Sequence, residues 1–108
     1  FKFLLEKAIE YAGGKPEHVI VLSIPDWGVT PFATGRDRGQ ISSEINTFNQ
    51  INLEESQKAG IHYVDITPVS REAVYNSSLI AGDGLHPSGK MYAEWAKQVL
   101  PIAVEILE

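Results

Sequence analysis

Phe1, Leu4, Leu5, Ala8, Ile9 and Ala12 recur at the i, i+3, i+4 spacing of one helix face, while Lys2, Glu6, Lys7 and Glu10 take the other. Gly13-Gly14 and then Pro16 supply the stop. Val19-Ile20-Val21-Leu22-Ser23-Ile24 is a nearly unbroken β-branched run, the pattern of a strand covered on both faces, and Pro25 and Gly28 end it. Ser42 or Ser43 can cap a helix reaching about Ala59, with Ile41, Ile45 and Phe48 on one face and Gly60 closing it. Ile61 to Ile66 reads as a second strand, and Thr67-Pro68 starts a short helix through about Tyr75. From Ser88 a longer helix carries Tyr92, Trp95, Ala96 and Val99, then Ile102, Ala103 and Ile106; the Tyr92/Trp95 stripe reads as core. Pro101 lacks an N–H and is expected to kink or restart that helix. Two loops remain, Pro25 to Gln40 and Asn76 to Pro87.

Helix, strand, helix, strand, short helix, long helix is an alternation that predicts an α/β layer with parallel strands and a right-handed crossover. Two strands make a poor sheet, so at least one edge of the Val19–Ile24 run should be bare and apolar, which favours pairing with another chain or segment. The chain opens in mid-pattern at Phe1, without an initiator Met or the basic start of a signal peptide; the expectation is a fragment, residues 1–108 being a single or partial domain. Nine Lys and Arg against fourteen Asp and Glu leave a formal net charge of −5, which argues against a nucleic-acid partner. The absence of cysteine removes disulfides, thiolate metal sites and cysteine nucleophiles. The longest apolar run, Val19 to Ile24, falls far short of the ~18 residues of a membrane helix, so no membrane partner is expected; the compartment stays open.

In open α/β sheets, ligands bind beyond the carboxyl ends of the strands. His18 and His62 sit at the amino ends, roughly 20 Å away along a strand of about 3.3 Å per residue, and read as surface or structural. His62 and Asp65 are not a metal pair, because a spacing of three on a strand points them to opposite faces, and no metal or organic cofactor is implied. The productive end holds Asp26-Trp27-Gly28, Asp65 (expected to support the following helix start) and Gly82-Asp83-Gly84-Leu85-His86-Pro87-Ser88. Pro87 biases His86 away from helical backbone and suits a first helical position, so His86 is expected to enter the helix, with Gly84 folding the chain so that Asp83 reaches the ring. A carboxylate on one imidazole nitrogen fixes the tautomer and leaves the other nitrogen as a base for a hydroxyl. Spacing alone also fits a plain turn cap. Trp27, Phe32 and the Arg36-Asp37-Arg38 run could line an acyl or alcohol pocket, or form a solvated loop with one anchoring aromatic. Ser77 and Ser88 sit on no strand-to-helix elbow and are not proposed as nucleophiles.

Ala81-Gly82-Asp83-Gly84-Leu85-His86-Pro87-Ser88-Gly89-Lys90-Met91-Tyr92-Ala93-Glu94-Trp95-Ala96 resembles the last block of the GDSL/SGNH hydrolases, with its Asp-x-x-His-Pro signature. Val19 to Trp27 is similar to that family's fourth strand and the loop after it. The resemblance implies a three-layer α/β/α sandwich around a flavodoxin-like five-stranded parallel sheet, of which this chain is the C-terminal portion. It implies ester hydrolysis by an esterase or lipase through a serine, with Asp83 orienting and His86 acting as base, and Trp27 and Phe32 near the substrate, a small ester or acylated carbohydrate. The family's Gly-Asp-Ser and Gly-x-Asn-Asp blocks do not occur in these residues. The chain is therefore expected to be inactive alone and to need an N-terminal segment or another chain for nucleophile and oxyanion donors. The rival reading is a non-catalytic α/β binding or assembly module. A flavodoxin-like phosphate binder fits less well, because Asp26 in Pro25-Asp26-Trp27-Gly28 would repel the anion.

Overall fold

The computed structural model describes all 108 residues. Helix α1 spans Lys2–Tyr11 and ends as its glycines predict: Gly13 and Gly14 take φ of 71° and 80°, and the Gly14 N–H reaches back to the Ile9 carbonyl at 2.9 Å. Its apolar stripe is mostly uncovered. Only Leu5 is buried, while Phe3 and Leu4 are 64% and 65% exposed.

Strand β1 (Ile20–Leu22) pairs in parallel with β2 (His62–Val64), Ile20 opposite His62 and Leu22 opposite Val64. Both strands are shorter than the six-residue segments that predict them because side chains capture the next backbone groups. The Ile24 N–H goes to Asn49 Oδ1 at 2.9 Å, and the Ile66 N–H goes to the Ser23 hydroxyl at 2.7 Å. The two strands are the whole sheet. The α/β character with parallel strands stands, but the chain is mostly helical. It does not by itself build the five-stranded, flavodoxin-like three-layer sandwich, since it offers only two segments for the ladder.

Helix α2 covers Arg38–Lys58, five residues longer at its start than a Ser42 cap would give. The cap is Asp37, whose Oδ1 accepts the Gln40 N–H at 3.0 Å. The preceding loop is shorter than expected and folded, with single 3-10 turns at Trp27–Val29 and Pro31–Ala33. Arg38 stitches it together, donating to the Gly28 and Thr30 carbonyls at 2.7 and 2.9 Å. Helix α3 (Thr67–Arg71) continues as a 3-10 turn over Glu72–Val74. Helix α4 (Gly89–Leu107) is capped by the Ser88 hydroxyl, which accepts the Met91 N–H at 3.3 Å. His86 and Pro87 therefore lie outside the helix, contrary to expectation, in an antiparallel bridge between Ile80 and Pro87. Pro101 sits inside α4 without a restart; one missing N–H does not stop a helix of 19 residues.

Val64, Ile66, Leu79, Met91 and Trp95 form the core, with Ile20, Val69, Val99 and Ile102 packed around them. Tyr63, the neighbour of Val64, instead donates its hydroxyl to the Asn49 carbonyl on α2, so β2 has helices against both faces. Trp95 is core as predicted; Tyr92 is not, being 54% exposed and set edge-on to the Trp95 ring at 5.1 Å. No helix is long and apolar enough to cross a membrane.

Candidate functional site at the carboxyl ends of the strands

Where β1 and β2 end, a knot of short polar side chains fixes the floor of the site. The Ser23 hydroxyl donates to Asp65 Oδ1 at 2.8 Å and accepts the N–H groups of Ile66 and Thr67. Asp65 also accepts the Thr67 N–H at 3.4 Å, the support for the α3 start that its position suggested. Thr67 donates its hydroxyl to the Ile24 carbonyl at 2.7 Å, and Asn49 Nδ2 donates to that hydroxyl. Asp26 is fully buried, with every contact used: Oδ1 accepts the Gly28 N–H at 2.8 Å, and Oδ2 accepts the Ser42 hydroxyl at 2.6 Å and Arg71 Nε at 3.0 Å. Arg71 is steadied in turn by Asn46 Oδ1 at 2.6 Å. Asp26 is thus committed to Arg71, not to His86.

Above this floor stands the turn from Ala81 to Pro87. Its arms are closed by the Ala81 N–H on the His86 carbonyl at 2.8 Å and the Ser88 N–H on the Leu79 carbonyl at 2.9 Å. Gly84 has φ of 74°, and a Cβ there would stand 3.3 Å from Pro31 Cβ. The Gly84 carbonyl accepts the Phe32 N–H at 3.0 Å, which ties this turn to the aromatic loop. Within the turn Asp83 Oδ1 accepts the N–H groups of Leu85 and His86, both at 2.9 Å, and Oδ2 lies 2.5 Å from His86 Nδ1. The Leu85 N–H first, then the His86 ring and the His86 N–H, hold the Asp83 carboxyl at about 2, down from 3.8. The ionised carboxylate can only accept, so Nδ1 carries the proton in this contact. His86 Nε2 has no hydrogen-bond partner, and the side chain is 70% exposed.

His86 shares a cavity of about 440 Å³ with Ile24, Trp27, Phe32, Leu85 and Met91, a predominantly apolar lining. Trp27 and Phe32 meet edge-on with ring centroids 6.1 Å apart. Asp83, His86, Trp27 and Phe32, the four site residues read from the sequence, are therefore brought to one place, Asp83 behind His86 and the two rings beside it. His18 lies in a 3-10 turn before β1 and His62 opens β2, both away from this cavity. Sequence reasoning missed the Asp26–Arg71 pair, whose members are 45 positions apart, and the anchoring by Asn49; neither leaves a local spacing signal. No group of three or more His, Cys, Asp or Glu is arranged to hold a metal.

A family model described as GDSL-like Lipase/Acylhydrolase matches residues 4–99. No curated protein and no solved structure matches the chain.

Proposed function

The chain belongs to the GDSL-like lipase/acylhydrolase family, and from that premise we propose that Asp83 orients His86 and that His86 is the base of a serine-dependent ester hydrolysis. The observation that carries this reading is the 2.5 Å contact between Asp83 Oδ2 and His86 Nδ1, with Nε2 left unpartnered on a residue that lines an apolar cavity.

His86 Nε2 takes the proton from a serine hydroxyl as the oxygen attacks the ester carbonyl. The resulting imidazolium is stabilised by the Asp83 carboxylate and hands its proton to the leaving alkoxide, giving an acyl-serine. Water then enters, Nε2 takes its proton, and the acid is released as the serine is protonated again. Trp27 and Phe32 bound the space for the apolar part of a small ester or acylated carbohydrate. No metal or organic cofactor takes part in this route.

No Gly-Asp-Ser and no Gly-x-Asn-Asp string occurs in these residues. The serine and the oxyanion donors are therefore taken to come from an N-terminal segment or another chain. In the completed fold β1 and β2 belong to a five-stranded parallel sheet in a three-layer α/β/α sandwich, the free edge of β1 pairing with a further strand. A lost oxyanion donor alone costs about 10²–10³ in rate, and without the serine there is no acyl-enzyme. The 108 residues alone should therefore not turn over an aryl acetate.

The test compares aryl acetate turnover by this chain with turnover by the chain joined to a Gly-Asp-Ser-bearing segment. Turnover should appear only in the joined form and be abolished by His86→Ala. Turnover by the chain alone, or a joined enzyme indifferent to His86→Ala, would contradict the proposal. A joined protein that binds esters without cleaving them would favour a non-catalytic module instead.

A further inference from the structure

The Arg36-Asp37-Arg38 run contains three charges, and the structure gives two of them structural duties. Asp37 caps α2, and Arg38 spends its guanidinium on the carbonyls of Gly28 and Thr30 and on Thr34 Oγ1. Arg36 has no such duty. Its guanidinium makes no ion pair and no side-chain hydrogen bond; its only polar tie is its backbone N–H on the Ala33 carbonyl at 3.0 Å. It lies over two aromatic rings instead, 5.7 Å from the centroid of Trp27 and 5.2 Å from that of Phe32. Those rings line the cavity that His86 also lines.

A guanidinium held against aromatic rings by cation–π attraction spends none of its N–H donors on hydrogen bonds to them and keeps those donors free for a ligand. Two rings contacting one arginine limit where those donors can travel. Arg36 is exposed and unpaired, and it packs on two rings that themselves line the apolar cavity, so its charge is available to a ligand that reaches past those rings. The complementary ligand has an apolar stretch that fills the space beside Trp27 and Phe32 and an oxyanion at its far end that meets the guanidinium. We infer that Arg36 is a specificity-determining residue that selects esters bearing a carboxylate or phosphate group. This rests on the ester-hydrolase reading for the word ester; the anion preference itself is a property of Arg36 and the two rings.

The experiment titrates the chain with monomethyl adipate and with methyl hexanoate, which differ in the terminal carboxylate, and with hexyl phosphate. The readout is the Trp27 indole N–H resonance, assigned with Trp27→Phe. Monomethyl adipate should bind about fivefold more tightly than methyl hexanoate at low salt, the scale of an ion pair open to solvent, and the margin should shrink as salt rises. Tighter binding of hexyl phosphate than of monomethyl adipate would assign the site to phosphate, and the reverse order to carboxylate. Arg36→Gln should erase the preference and Arg36→Lys should restore part of it. Equal affinity for the charged and neutral esters, no saturable shift with any probe, or an undiminished preference in Arg36→Gln would each overturn the inference. The proton position on the His86 ring in Arg36→Gln separates the two ideas: it should match the parent chain even when the anion preference is lost.

Discussion

Two aspartates near the strand ends each grip a basic side chain, and they do opposite work. Asp26 is fully buried, both its oxygens accept from the protein, and Arg71 beyond it is steadied by Asn46. Asp83 stands in solvent on a tight turn, and its partner His86 keeps one ring nitrogen free. A buried carboxylate whose two oxygens are both taken by the protein can only hold the fold. A ring held on one side and open on the other can accept a proton from something that arrives. Burial and completeness of pairing, not the mere presence of an acid–base contact, separate the structural pair from the one proposed for chemistry.

The contrast can be broken from either side. The largest effect is expected at Asp83: in a joined enzyme that carries the serine, Asp83→Asn should lower kcat/KM by about 10²–10⁴-fold, because the amide no longer fixes the imidazole. The urea midpoint of that variant should stay close to the parent's. Next comes Asp26→Ala, which leaves Arg71, the Ser42 hydroxyl and the Gly28 N–H without their acceptor; urea unfolding should show a loss of about 2–4 kcal/mol. If Asp26→Ala were as stable as the parent, the buried pair would not be the anchor described here.

Gly84→Ala sharpens the comparison at the level of the backbone. It forces an L side chain into φ of 74° and against Pro31, so thermal unfolding should register a cost of about 1–2 kcal/mol. It should also weaken the tie between the Gly84 carbonyl and the Phe32 N–H.

The smallest effect is electrostatic. The Asp83 carboxyl is lowered in the folded state to about 2 from 3.8. Its contribution to stability is therefore present above 3.8 and lost as pH falls through about 2, and exposure to solvent keeps it small. A carboxyl carbon titration should find a midpoint near 2. His86→Ala should raise it only part of the way, since the Leu85 N–H is the larger cause. A midpoint at the ordinary value in the parent chain would remove the turn from the account.

The Asp83–His86 contact was legible in the sequence because it is local: Asp83, Gly84 and His86 meet within one turn, so their spacing carries the geometry. The structural pair was not, because Asp26 and Arg71 meet only after α2 and β2 have folded between them. Strand ends escaped for a related reason, since Asn49 and Ser23 take backbone groups from the ladder over long sequence distances. The helix periods were correct for α1 and α4, but a period says which residues share a face and not what covers it, as Leu4 and Tyr92 show. Asp37, hidden between two arginines, reads as part of a charged loop until its carboxylate is seen capping α2.

The most direct test of the central claim is the position of the proton on the His86 ring, read from its two ring-nitrogen chemical shifts at a pH where the ring is neutral. The account predicts a proton on Nδ1, facing Asp83, and a lone pair on Nε2, with that preference lost in Asp83→Asn. A ring protonated on Nε2 in the parent chain, or one unchanged by Asp83→Asn, would contradict it.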